Sequence, residues 1–98
     1  MAAKKINSIL QSEKVCFVTG REYGLHKHHI FGGPNRKISE REGFCVYLIP
    51  ELHSLPPLGV HFDHEFDLEL NRACQREYEK RHTRAEFMRL IGRNYLDD

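Results

Sequence analysis

The chain of 98 residues is long enough for one small domain with a single core, and its 40% hydrophobic content argues against long-range disorder. Fifteen basic and 14 acidic residues give a formal net charge of +1, which excludes a uniformly basic polyanion-coating protein and an acidic DNA mimic. The longest uncharged apolar run, residues 44–50, is much shorter than the roughly 20 residues of a membrane span, and the N-terminal residues are too polar for a signal peptide. We therefore expect a cytoplasmic protein without a membrane partner.

The first half of the chain is predicted to contain a short helix, two extended segments and a loop. Residues 4–11 fit a helix because Ile6, Ile9 and Leu10 lie on one face. Residues 15–18 and 23–30 have the composition of strands, in which alternate side chains point to opposite sides. In the second segment one side carries His26, His28 and Ile30, and the other carries Leu25, Lys27 and His29. Residues 31–37 are predicted to be a loop because two glycines and a proline interrupt regular structure there.

The second half is predicted to contain one strand and two helices. Residues 44–49 give the strongest strand signal, which Pro50 ends. From about residue 61 to residue 81 the pattern is helical, with an apolar stripe that consists of Phe62, Phe66, Leu70, Ala73, Cys74 and Tyr78. Thr83 and Glu86 form a capping box that begins a last short helix. The order of these elements predicts a single α+β domain with a small antiparallel sheet, a long helix and a short C-terminal helix.

Charges and histidines are unevenly distributed along the chain. Residues 51–69 hold five acidic residues and no lysine or arginine, whereas residues 21–41 and 70–93 are net basic. Six of the seven histidines fall in two groups, which are His26, His28 and His29, and His53, His61 and His64. An acidic, histidine-bearing centre between basic segments is typical of a metal site beside a phosphate-binding surface. It is equally typical of alternating solvated faces, and both interpretations stay open.

Four stretches of the sequence resemble the HNH nucleases, also called ββα-metal or His-Me finger nucleases. They are GLHKHHIFGGPNRK at residues 24–37, VYLIPELHS at 46–54, GVHF at 59–62 and GRNYL at 92–96. Within that family the chain looks most like small phage- or prophage-encoded proteins. The resemblance implies one HNH-like domain over residues 1–98, with an N-terminal helix at 1–12, a ββα-type core at 13–60 and a helical part at 61–96. It also implies metal-dependent cleavage of DNA in the cytoplasm of a host cell.

Phosphodiester hydrolysis requires a base that deprotonates water and a cation that offsets negative charge, and histidine suits the first task near neutral pH. By resemblance, His28 is the first metal ligand and His29 is the general base. His53 is the family's ligand from the opening of a helix. His61 is a third ligand candidate, because the prolines before it bend the chain and Gly59 then begins the long helix. His64, Asp63 and Asp67 are alternatives on the same helix face.

The remaining site residues follow from the loop after the histidine pair. Asn35 is the candidate for the catalytic asparagine of the family, although it comes only six residues after His29. Either Asn35 acts from the loop, or the motif is of the His-x-His type. Arg36, Lys37 and Arg41 are candidate DNA-phosphate contacts, with a solvated loop as the alternative. His26 is expected to be exposed, and His82 to be solvated.

Two departures from the family pattern leave alternatives open. Where many HNH proteins have two Cys-x-x-Cys pairs, this chain keeps only Cys16, so a four-cysteine zinc site cannot form and Cys16 is predicted to be a core residue. The acidic residues of the centre would also repel DNA unless they are neutralised. The alternative function is a catalytically degenerate HNH-scaffold binding protein, such as a phage-encoded anti-defence inhibitor with a host protein partner. A non-enzymatic zinc-stabilised module is a third interpretation. The cofactor is expected to be a divalent metal, with zinc and magnesium both open.

Overall fold

A computed structural model describes residues 6–96 and confirms the predicted α+β class. The elements, in chain order, are strand β1 (His26–His29), a 3₁₀ turn (Gly33–Asn35), helix α1 (Arg36–Glu42), strand β2 (Cys45–Leu48), helix α2 (Pro50–His53), helix α3 (His64–Tyr78) and helix α4 (Arg84–Ile91). The two strands pair antiparallel, so that His26 lies opposite Leu48 and His28 opposite Val46. No helix within residues 6–96 is long and apolar enough to cross a membrane.

The core lies where the sheet meets the last two helices, and aromatic rings fill its centre. Phe44 and Phe87 are fully buried. The Phe44 ring packs edge-on against Tyr78 with centroids 5.5 Å apart, and Phe31 packs in the same way against Phe87 at 5.6 Å. Such edge-to-face pairs are favoured by the ring quadrupole. Cys16 is buried in the same core as a free thiol, as predicted.

Two predicted elements agree closely with the structure because their signals are local. The strand expected at residues 44–49 is β2. The predicted capping box is present: Thr83 Oγ1 accepts a hydrogen bond from the Glu86 backbone N–H, and the Thr83 N–H donates to Glu86 Oε1. Helix α4 therefore begins where the sequence predicts.

The predicted N-terminal helix is wrong for residues 6–11, while residues 4 and 5 lie outside the described part of the chain. Ser8 Oγ accepts from the backbone N–H groups of Leu10 and Gln11 and donates to the Cys45 carbonyl. The Gln11 side-chain oxygen accepts from the Tyr47 N–H. These side-chain bonds compete with helix formation and attach the segment to the free edge of β2.

The strand predicted at residues 15–18 is also wrong, because this run closes a tight turn. Gly20, with a positive φ of 82°, donates its N–H to the Cys16 carbonyl, and the Cys16 N–H donates to the Arg21 carbonyl. The chain thus reverses within five residues. A single backbone bond from the Phe17 N–H to the Tyr47 carbonyl replaces the expected strand pairing.

The loop predicted at residues 31–37 is wrong at its end, since α1 begins at Arg36. Pro34 initiates the preceding 3₁₀ turn, because its fixed φ suits a first helical turn. Buried Ser39 of α1 then bonds both backbone groups of Phe31, accepting from its N–H and donating to its carbonyl. Gly43 ends the helix with a φ of 76°, and a Cβ there would lie 3.3 Å from the backbone of Ser8.

The long helix is shorter than the predicted range of residues 61–81 and begins at His64. The carboxylate of Asp63 accepts from the Phe66 N–H and caps the helix, so Gly59 and His61 belong to the preceding turn. Phe62 is 60% exposed and does not continue the apolar stripe. Leu70, Cys74 and Tyr78 are buried, as the stripe predicts.

Candidate metal centre

Three histidines from three different segments meet on one side of the sheet. His28 lies in β1, His53 is the last residue of α2, and His61 lies in the turn before α3. The resemblance placed His53 at the opening of a helix, which is corrected here: it ends a four-residue helix that Pro50 begins. The short α2 follows β2 and turns His53 back towards β1, so that the rings of His53 and His28 lie with their centroids 5.4 Å apart.

Gly59 allows the chain to bring His61 back to α2. A Cβ at this position would lie 2.8 Å from the backbone N and O of Leu55, a distance that real Cβ atoms essentially never show. The close approach lets the Val60 N–H donate to the Leu52 carbonyl at 2.7 Å and places the His61 N–H 3.4 Å from the His53 carbonyl. His61 is therefore positioned by backbone contacts rather than by the long helix.

The spacing of the ring nitrogens suits a metal ion. One ligand nitrogen from each of His28, His53 and His61 lies within 4.8 Å of the other two, and these side chains are thus close enough to hold a metal ion. His53 Nε2 and His61 Nε2 are 3.2 Å apart. Two nitrogens bound at about 2.0–2.1 Å to a tetrahedral ion lie about 3.3 Å apart, so this pair already has the separation that coordination requires. We refer to these three residues as the histidine cluster.

Burial favours the neutral, metal-binding form of two of the three histidines, His28 and His53. His28 is 6% exposed, and burial, followed by the neighbouring His53, His61 and His29, lowers its pKa to about 4. The pKa of His53 is also lowered, mainly by burial. His28 Nε2 is buried and has no hydrogen-bond partner among the described residues. A neutral imidazole with an unpaired buried nitrogen is a ready metal ligand, and the donor set therefore fits a divalent ion.

His26 is exposed, as expected, but it contacts the cluster. It lies two residues before His28 on the same side of β1. Its Nδ1 is 3.0 Å from Nδ1 of His53, and the two rings meet edge-on with centroids 5.2 Å apart. The strand alternation noted in the sequence places His26 beside His28, which is the signal that could have predicted this contact.

The other side of β1 has a different partner. His29 Nε2 is 2.8 Å from Glu40 Oε1, and Lys27 Nζ is 2.6 Å from Glu40 Oε2. Lys27 first and His29 second lower the pKa of Glu40 to about 2, so this carboxylate is ionised at any assay pH. Glu40 is not among the predicted site residues, because the sequence pattern did not predict the helix on which it lies.

A cleft of about 280 Å³ joins two members of the cluster, His28 and His61, to His29 and Asn35, and its lining also includes Asp67 and Asn71. The Asn35 amide nitrogen donates to the Ile91 carbonyl at 3.0 Å, and its side-chain oxygen has no hydrogen-bond partner within residues 6–96. Asn71 Oδ1 is buried with no partner in the described part of the chain. Burial raises the pKa of Asp67. The structure thus brings Asn35 to the histidines through the 3₁₀ turn.

The candidate DNA contacts lie on α1 rather than in a loop. Arg36 and Lys37 are exposed in its first turn, directly after Asn35, and neither forms an ion pair within residues 6–96. Arg41 is exposed one turn later and pairs with Glu42. His64 is exposed at the start of α3 and lies outside the cluster.

His82 lies apart from this region, stacked on the Tyr78 ring.

The chain was compared with models of protein families, with curated proteins and with solved structures, and none of the three comparisons found a match.

Proposed function

We propose that this chain is a metal-dependent endonuclease that hydrolyses DNA phosphodiester bonds. The observation that carries the proposal is the shared cleft, which is lined by His28 and His61 of the histidine cluster and also by His29, whose Nε2 contacts the Glu40 carboxylate. Hydrolysis of a phosphodiester requires a cation site and a base within reach of one water molecule. The adjacent positions of His28 and His29 on a strand supply both.

His29 acts as the general base in this proposal. Its Nε2 is bound to Glu40, so its Nδ1 is the nitrogen that accepts a proton from water. The ionised Glu40 orients the ring and stabilises the imidazolium that forms. Asn35 presents its side-chain oxygen to the same cleft, where it accepts a hydrogen bond from that water.

His28, His53 and His61 hold the cation. A bound divalent ion supplies positive charge that offsets the charge of the scissile phosphate and of the leaving oxygen. Arg36 and Lys37 hold the neighbouring phosphates from the first turn of α1. The donor set of three imidazoles favours zinc or another transition metal over magnesium.

A plasmid-nicking assay with Mg²⁺, Mn²⁺ or Zn²⁺ tests the function. We expect His29→Ala to lower the cleavage rate by about 10²–10⁴-fold, the usual contribution of a general base, while Zn²⁺ affinity stays unchanged. His82→Ala, a histidine outside the cleft, is the matched control and should cut as the wild type does. Full activity of His29→Ala would exclude His29 as the general base. A wild-type protein that cuts DNA with none of the three metals would overturn the proposed endonuclease function.

One observation favours a second candidate, the degenerate HNH-scaffold binding protein. Leu55, Leu58 and Phe62 are 49%, 60% and 60% exposed within the turn that carries His61. Exposed apolar side chains grouped in one short segment are typical of protein-binding surfaces. A folded, metal-loaded protein that fails to cut under every condition of the nicking assay would favour this function.

A further inference from the structure

His53 makes contacts through both of its ring nitrogens, and the two contacts differ in kind. Its Nε2 lies 3.2 Å from Nε2 of His61, within the histidine cluster. Its Nδ1 lies 3.0 Å from Nδ1 of His26, which is not a member of the cluster. The two nitrogens of an imidazole lie on opposite edges of the ring. His26 therefore approaches the edge of His53 that faces away from His61.

The protonation of these rings follows from that arrangement. His53 would bind a metal ion together with His61 through its Nε2, since this is the nitrogen next to His61. The single proton of neutral His53 then lies on Nδ1, and the Nδ1–H donates to Nδ1 of His26. The proton of His26 is consequently on its own Nε2. The alternative tautomer of His53 has its proton on Nε2 and cannot bind the ion through that atom.

We propose that His26 is a positioning residue that holds His53 in the metal-binding tautomer and ring orientation. The inference rests on the metal site of the proposed function and adds to it a residue outside the ligand set. Metal-bound histidines usually donate their second N–H to a carboxylate, a carbonyl or water, and such partners typically change metal affinity by about 10–100-fold. Here a second imidazole takes that place. The edge-on packing of the two rings, with centroids 5.2 Å apart, restrains the plane of His53 as well.

Two substitutions of His26 separate the hydrogen bond from bulk and packing. His26→Leu removes the acceptor, whereas His26→Asn keeps an acceptor because the asparagine side-chain oxygen occupies about the position of the histidine Nδ1. His26 is exposed at the first position of β1, so both variants are expected to fold. His82→Leu, at an exposed histidine that contacts Tyr78 and Glu86 instead, is the matched control.

Zn²⁺ affinity is measured by calorimetry with a competing chelator, and the tautomer of His53 in the metal-free protein by ¹⁵N–¹H correlation of the ring nitrogens. We expect His26→Leu to weaken Zn²⁺ binding about tenfold, at the lower end of the usual range because water replaces part of the bond at an exposed site. His26→Asn should restore most of the affinity, and His82→Leu should match the wild type. In the metal-free protein, His53 should carry its proton on Nδ1 in the wild type and in His26→Asn. In His26→Leu it should be a mixture of the two neutral tautomers, with the proton on either Nδ1 or Nε2.

Several results would overturn the inference. His26→Leu with wild-type affinity and an unchanged His53 tautomer would show that the contact has no effect, and His26→Asn as weak as His26→Leu would show that the acceptor is not what matters. A wild-type stoichiometry of two zinc ions that falls to one in His26→Leu would make His26 a ligand. If no variant binds Zn²⁺, the metal site itself fails, while the spectrum still decides whether His26 sets the tautomer.

Discussion

The two faces of strand β1 carry histidines in opposite environments, although the strand is only four residues long. On one face, His26 and His28 meet other imidazoles. On the other, Lys27 and His29 meet the carboxylate of Glu40. The strand alternation separates side chains that are adjacent in sequence, and the partner on each face determines the chemistry available there.

The difference lies in what each face provides to an imidazole. His28 is desolvated and surrounded by groups that become positive on protonation, so its pKa is lowered to about 4 and it stays neutral, as a metal ligand must. His29 instead has its Nε2 2.8 Å from the Glu40 carboxylate, whose pKa Lys27 and His29 lower to about 2. The face that carries His28 thus suits a metal ligand, and the face that carries His29 suits a general base. The predictions below test whether these two roles are separable.

The largest expected effect is the loss of metal binding in His28→Gln. Removing one of three ligands should weaken Zn²⁺ binding by about 10³-fold, since structural zinc sites are worth about 10–16 kcal/mol over all their ligands. Titration calorimetry measures the affinity, and circular dichroism checks the fold. His29→Gln, on the other face, is the matched control and should keep wild-type affinity. Equal losses in both variants would show that the two faces do not act separately.

The sequence predicts the parts of this arrangement that depend on short-range patterns. The alternation of residues 26–30 places His28 and His29 on different faces, and the capping box at Thr83 fixes the start of α4. The run of β-branched and aromatic residues before Pro50 predicts β2. Each of these signals lies within a few neighbouring residues, so no knowledge of the tertiary fold is required.

The parts that the sequence did not predict depend on contacts between distant residues. Glu40 contacts His29 across 11 residues, and its place on α1 depends on Pro34 beginning a helical turn rather than forming part of the predicted loop. The contact of His26 with His53 spans 27 residues. Residues 6–11 have a helical pattern, but Ser8 and Gln11 bond to β2 instead, which only the folded chain reveals.

The second largest effect concerns the pH dependence of stability in the metal-free protein. The folded-state pKa of His28 is about 4 and its unfolded value is 6.5, so between these values the unfolded state binds the additional proton. The free energy of unfolding therefore falls as the pH is lowered through this window, by about 3 kcal/mol from this residue. His28→Gln lacks this contribution. Urea unfolding in the presence of a chelator, at pH 7.5 and pH 4, measures it for both proteins.

We expect the difference in unfolding free energy between wild type and His28→Gln to decrease by about 3 kcal/mol from pH 7.5 to pH 4. Groups that titrate in both proteins, including His53, cancel in this comparison. A difference that stays constant with pH would show that His28 is not held neutral by burial. The ligand face would then lose the property that distinguishes it from the face of His29.

The smallest expected effect is that of Glu40 on cleavage. Glu40→Ala removes both the hydrogen bond and the charge next to His29, and should lower kcat about tenfold, with water partly replacing a carboxylate that is 54% exposed. Glu40→Gln keeps an acceptor for the His29 N–H and should lose less, about threefold. Because the Glu40 carboxylate is ionised at every assay pH, its removal should change the rate throughout the pH range.

Lys27→Met is the matched control, since it removes the other partner of Glu40 without touching His29, and its kcat should stay within about twofold of wild type. Nicking rates at saturating metal, together with Zn²⁺ affinities, complete the measurement. Wild-type kcat in Glu40→Ala would show that His29 needs no carboxylate to orient it. A loss of Zn²⁺ affinity in Glu40→Ala would mean that a change on one face of β1 is transmitted to the histidine cluster on the other. If the two faces have separate roles, substitution of Glu40 must change the cleavage rate and leave the affinity for Zn²⁺ the same.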